Sequence, residues 1–332
     1  MNYHDLACGV FGAVSMLLGT IALANCPERA NLSDARIGGT AGRPAIVVGV
    51  ITDSTRLCMN GLSIQADAET VVSIDGRIAP IRSLAVGHIA AASVTPTKGV
   101  LRANRIAVTH ELIGPVTDLD SAGAELSVMG RRVMLRAGAV RAPGALPLAG
   151  LKLGDVVRVS GMRNGRGEID GTRIDPAPRS EAAMVIGRYS VEPSGSPSLA
   201  GVRLRFFERA PLHADLHEKT VRMSGRWTGQ ELVVEHTAID PVAFGRAERA
   251  LLQGYPSNSK AGIVLAGLVM RLGAATRYDN GDRQTLRTDL EVMATGTIRS
   301  DGQLEVERLM LGELRPVAQR GLIVPRATQA AR

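Results

Sequence analysis

Aromatic residues are scarce: one Trp, four Tyr and four Phe make up 3% of the 332 residues. Cores built without them must rest on Val, Leu, Ile, Ala and Met, and the shortage argues against broad stacking platforms for bases or sugar rings. Cysteine is scarcer still, at three, and no Cys-x-x-Cys occurs. A zinc or dithiol site of that spacing has no support. Ser160 and Ser224 precede glycines but lack a Gly-x-Ser-x-Gly elbow. Gly165-Arg166-Gly167 has no helix after it to make a phosphate cradle. No pair of carboxylates is set opposite another by the pattern, so glycosidase chemistry has no support.

What is present is glycine (37), proline (16) and a 45% hydrophobic content, a mixture suited to many short strands and turns. Net charge is +7, mostly from scattered arginines, and four Arg against one Glu fall after Gly312. A diffuse basic balance permits anionic partners without demanding them.

Leu6 to Ala24 carries no charge and ends in Ala22-Leu23-Ala24, which fits a signal-peptidase site. Residues 1–24 therefore read as an apolar helix, either a cleaved signal peptide or an uncleaved anchor. The n-region MNYHD lacks Lys and Arg. Leu23-Ala24-Asn25-Cys26 also resembles a bacterial lipobox, though Asn departs from the small residue expected before the Cys. Cys26 and Cys58 would remain after cleavage. They would be able to pair in an oxidising compartment, but the preferred reading is that Cys58 is a small strand residue.

Beyond a linker over 25–44, one pattern recurs four times. Its clearest copy is Leu151 to Ile174, LKLGDVVRVSGMRNGRGEIDGTRI: a Gly-Asp turn, a strand, a glycine-rich hairpin turn and a return strand. In it Val157 and Val159 alternate with Val156 and Arg158, as a half-buried strand requires. The spacing from a central small residue to the last apolar anchor is 13, 13, 14 and 13 in the four copies (Ser93–Ile106, Gly161–Ile174, Gly225–Ile239, Gly296–Leu309). Repeats are thus expected over 45–110, 111–178, 182–242 and 247–312, with a disordered basic tail over 313–332. Each unit has five strands, which predicts an all-β chain of tandem small five-stranded β-barrels of the oligonucleotide/oligosaccharide-binding kind.

The Gly-x-Val opening, the central Gly, the Gly-Asp-x-Val-x-Val-x-Gly strand and the Gly-x-Ile/Leu return resemble the bacterial domain of unknown function numbered 5666. The resemblance is good in Glu111–Ile174, fair in Ala45–Val108 and degraded in the other two copies. It implies an exported or surface-attached β protein, with no catalytic residues to carry over.

Few residues suggest chemistry. His213 and His217 have i, i+4 spacing, and His236 lies in a return strand; together they are weak metal candidates, outweighed by a solvated connection. Trp227 at a hairpin turn, with Arg222 and Arg226, is a weak binding candidate; Arg203 and Arg205 would extend it into a basic face. Asp155 reads as a turn residue. No cofactor is expected. The expected function is a non-enzymatic, exported, periplasmic or envelope-attached protein that binds a protein or an envelope polymer, its repeats multiplying weak sites. It would touch a membrane only through the N-terminal segment. The alternatives are a metal-dependent enzyme near His213 and His217, or a nucleic-acid-binding barrel, which export and the aromatic shortage oppose.

Overall fold

The computed structural model describes residues 43–97, 99–120, 125–141, 150–193, 195–207, 216, 220–239 and 247–312. The apolar segment 1–24, Cys26, His213, His217 and the tail 313–332 lie outside these.

Every repeat is built from strands. Repeat one holds β1 (Ala45–Asp53), β2 (Cys58–Met59), β3 (Leu62–Gln65), β4 (Val71–Ile74), β5 (Arg77–Ile78), β6 (Ile89–Thr97) and β7 (Val100–Val108). Repeat two holds β8 (Leu112–Leu119), β9 (Glu125–Val128), β10 (Arg131–Arg141), β11 (Val156–Arg163) and β12 (Ile169–Pro176). Repeat three holds β13 (Ala183–Val191), β14 (Pro197–Leu199), β15 (Val202–Arg205), β16 (Thr220–Trp227) and β17 (Leu232–Ile239). Repeat four holds β18 (Arg249–Gly254), β19 (Ser257–Ser259), β20 (Gly262–Leu265), β21 (Leu268–Arg271), β22 (Arg277–Asp279), β23 (Val292–Ile298) and β24 (Leu304–Leu311). Among the described residues no helix is long and apolar enough to cross a membrane.

Within repeat two, β8 pairs with β9, β9 with β10, β10 with β12 in parallel, and β12 with β11, which in turn pairs with β8. The same parallel contact recurs as β3 on β7, β15 on β17 and β21 on β24. Repeats one and four add to this plan: β4, paired with β5 in a hairpin, runs parallel to β7, and β22 runs parallel to β24.

The expectation of separate tandem barrels needs correction. Strands join laterally between repeats, repeat one with four and repeat two with three, into two continuous sheets of 14 and 10 strands. The architecture reads as a coiled β-solenoid and not as isolated barrels. The reason lies in the opening strands. The first half of β1 pairs with β6 on one side, while only its end reaches β2 on the other. The open edge from Ala45 to Val48 takes β18, from Arg249 to Leu252, in parallel. Likewise β8 takes β13 through Leu112 and Ile113. Lateral pairing satisfies backbone groups that would otherwise form an exposed edge.

The cores follow the joined pairs. One cluster runs through repeats two and three, including Leu112, Val157, Val159, Val185 and Val221, all fully buried. Repeat one with Leu251 of repeat four forms a second, and repeat four with Ile46 and Val48 of β1 a third. Val, Leu and Ile dominate all three, and each such side chain contributes about 1.5–3 kcal/mol when fully buried.

The central glycine has a structural cause. The ladder slips by one residue between Ser160 and Gly161, Ser224 and Gly225, and Thr295 and Gly296. At each slip the glycine crosses its partner strand so closely that a Cβ on Gly161, Gly225 or Gly296 would fall 2.5, 2.0 or 2.0 Å from a backbone oxygen. In repeat one the slip lies between Ser93 and Val94. Val94, not Ser93, is therefore the counterpart of Gly161. In repeat three Ser224 faces His236, so Thr237, not Ile239, is the counterpart of Ile174. The 13-residue spacing was partly misaligned by one or two residues.

Candidate functional site

Between β4 and β5 the chain turns at Asp75-Gly76, with φ values of 49° and 78°. Two successive positive φ values make a tight hairpin turn, and Asp-Gly is well suited to them. The turn is pinned to the end of repeat one. Asp75 N–H donates to the Val108 carbonyl at 3.0 Å. Its carboxylate accepts the His110 backbone N–H at 2.9 Å and lies 2.6 Å from His110 Nδ1.

His88 and His110 flank the β6–β7 hairpin. Ala90 pairs with Val108, so continuing the same register sets His88 across from His110. The two rings meet edge to face at 5.7 Å, and both residues are buried. His88 Nδ1 accepts the Ala85 N–H at 3.2 Å. Burial, aided by the charge of Arg173, holds His88 below the usual imidazole range, although Asp175 opposes this.

Repeat two supplies the other wall. The slip at Gly161 leaves Thr172 as the extra residue on β12. Thr172 Oγ1 donates to the Gly87 carbonyl at 2.6 Å, and Arg173 Nη1 to the Val86 carbonyl at 3.0 Å. Arg173 also grips Asp175 with both Nε and Nη2, at 2.6 and 2.7 Å. His88 Nε2 lies 3.8 Å from the same carboxylate. Burial alone would raise the Asp175 pKa, but His88 and Arg173 hold it below the usual carboxylate range. The donor atoms of His88, His110 and Asp175 all lie within 4.8 Å of one another. His110 Nε2 is buried without a hydrogen-bond partner.

These groups line one end of a cleft of about 980 Å³ where repeats one, two and three meet. Arg77 and Ile78 of β5 form a lip, and Ile78 is 80% exposed. Arg158, Glu181, Arg222, Ser224 and His236 line the rest. The cleft contains four arginines and three carboxylates. Each carboxylate is engaged: Asp75 by His110, Asp175 by Arg173 and Glu181 by Arg158. Arg77 and Arg222 have no ion pair among the described residues. Arg222 reaches from repeat three to the β4–β5 turn, where a Cβ on Gly76 would meet its Nη2 at 2.6 Å.

The sequence candidates divide. His236 and Arg222 lie in this cleft. Trp227 and Arg203 lie in a second groove of about 300 Å³, between Met129-Gly130 of repeat two and Gly229-Gln230 of repeat three. Arg226 is exposed and lines neither, and Arg205 pairs with Glu231. The five do not form one basic face. His213 and His217 lie outside the described residues. Asp155 is a turn residue, its carboxylate accepting the Lys152 N–H at 2.9 Å. Asp75, His88, His110 and Asp175 were not singled out from sequence. The signals for the first three were Ile-Asp-Gly-Arg as a two-residue turn and the two histidines at matching ends of one hairpin. Cys58 is disulfide-bonded, which replaces the reading of it as a plain strand residue; its partner lies outside the described residues.

In comparison with known proteins, the profile of the Domain of unknown function (DUF5666) matches residues 113–175. That span covers repeat two from β8 to β12, including Arg173 and Asp175. No curated protein matches the chain.

Proposed function

We propose that this chain, one of whose repeats is a DUF5666 domain, is a non-enzymatic exported binding protein whose three-repeat cleft takes an acidic, extended protein segment. The observation that carries this reading is the pair Arg77 and Arg222. They enter one cleft from different repeats, and every carboxylate around them is already engaged. Guanidinium groups without a partner suit carboxylate recognition, because their planar donors match both oxygens. Ile78, next to Arg77 in β5 and exposed, offers apolar contact to a polypeptide. The disulfide at Cys58 supports export, since such bonds persist in oxidising compartments.

Polyglutamate tests the reading. Fluorescently labelled polyglutamate, titrated at low salt and followed by anisotropy, binds the wild-type chain. The Arg77→Ala/Arg222→Ala variant binds at least tenfold more weakly, and labelled polylysine does not bind. Equal binding by wild type and variant removes the cleft from the function.

A further inference from the structure

We propose that His88, His110 and Asp175 form a site for a divalent first-row transition ion, of the zinc class, at the seam between repeats one and two. The inference is independent of polyglutamate binding and rests on how each donor is held.

His110 is the anchor. Its Nδ1 is committed to Asp75 at 2.6 Å, so the proton sits between that nitrogen and the carboxylate. In the neutral ring the lone pair is then on Nε2, which is buried in a residue only 2% exposed and has no hydrogen-bond partner. A buried polar atom without a partner is costly in a folded protein. A carboxylate behind one ring nitrogen with the other left open is the arrangement that orients metal-ligating histidines.

The second and third donors are close. His88 Nε2 and Asp175 Oδ2 are 3.8 Å apart, and one ring nitrogen from each histidine and an Asp175 oxygen fit within 4.8 Å. Tetrahedral zinc, with bonds of about 2.0–2.1 Å, separates its donors by roughly 3.3 Å. Closing by up to about 1.5 Å completes the set. Ligation through His88 Nε2 places a proton on Nδ1, displaces the long bond from Ala85 N–H and replaces the direct His88–Asp175 contact with one through the metal. Arg173 occupies one lone pair on each Asp175 oxygen and leaves others for a metal. Two imidazoles and one carboxylate suit zinc and its neighbours better than calcium or magnesium, which take oxygen ligands. Three protein donors leave a fourth position, which here opens to the cleft lined by the same residues.

The test uses the full chain, stripped with a chelator, and zinc chloride alone in a calorimeter. One equivalent binds, and cobalt in its place gives the visible absorption of a four-coordinate ion. Asp75→Asn weakens zinc about 10–100-fold, because it loosens the group that orients His110. His110→Ala abolishes binding, and His213→Ala/His217→Ala binds as wild type does. If His110→Ala does not fold, Asp75→Asn, which keeps the side chain's size, decides. The proposal is overturned if the folded chain takes up no zinc, if Asp75→Asn binds undiminished, or if loss follows the His213/His217 pair.

Discussion

Asp75 Oδ2 lies 2.6 Å from His110 Nδ1 across 35 residues of sequence. The contact closes repeat one on itself. It ties the inserted β4–β5 hairpin to the second residue beyond β7, and so fixes the lip of the cleft. Through His110 the same contact reaches His88, Asp175 and repeat two.

Replacing Asp75 by Ala therefore acts on stability. It leaves a buried His110 N–H without an acceptor, at a cost of about 1–3 kcal/mol. Urea denaturation reads this as a lower midpoint at unchanged slope. An unchanged midpoint contradicts the role given to the pair.

The slip glycines are predicted to resist even a methyl group. In Gly225→Ala the new Cβ would fall 2.0 Å from the Val233 oxygen, a contact that only backbone movement relieves. Overpacking of this kind costs about 1–3 kcal/mol. Gly61→Ala has no neighbour within 4 Å and meets only the strain of its φ of 76°. Thermal unfolding of the two variants should rank Gly225→Ala as the less stable.

Arg136 joins repeats two and four. It bonds Asp170 and Tyr255 through Nη2, at 2.8 and 3.2 Å, and Glu291 through Nη1 at 3.0 Å. Burial pushes the Tyr255 hydroxyl above the usual phenol range, and its bond to Asp170 adds to this. Arg136→Met leaves Asp170 and Glu291 without their shared cation in a partly buried seam. Removing one partner from such a network costs about 3–5 kcal/mol. Chemical denaturation measures the loss, and Arg136→Met/Glu291→Gln should recover part of it.

Cys58 is predicted to resist alkylation until reductant is added. Dithiothreitol should then lower the thermal midpoint, reflecting a disulfide contribution of about 2–4 kcal/mol. Rapid alkylation of Cys58 itself in the unreduced chain, located by peptide mapping, contradicts the disulfide.

The repeat was legible because it is written locally. Val157 and Val159 mark a strand face and Asn164 to Gly167 a turn, all within a few residues. The joining of β1 to β18 was not, because lateral pairing uses backbone groups that every residue carries. The misplaced counterparts Ser93 and Ile239 have the same origin. A slip moves the pairing by one residue, and apolar spacing alone does not locate it.

The cleft was half legible. Arg222 and His236 stood out by type, yet what places them is the contact between repeats. Asp75-Gly76 is a readable two-residue turn. His88 and His110 follow from the hairpin register once β6 and β7 are paired. Arg173 and Asp175 depend on the slip at Gly161 and on Val86 and Gly87 of another repeat. No pattern within either repeat announces that meeting.

Backbone hydrogen exchange with and without polyglutamate tests the central claim most directly, because it reports where the ligand sits. The account predicts slower exchange on both sides of the cleft: at Gly76 to Ile81 of repeat one, and at Arg222 and His236 to Ala238 of repeat three. Protection confined to Trp227–Gln230 in the second groove, or none at saturating polyglutamate, contradicts it.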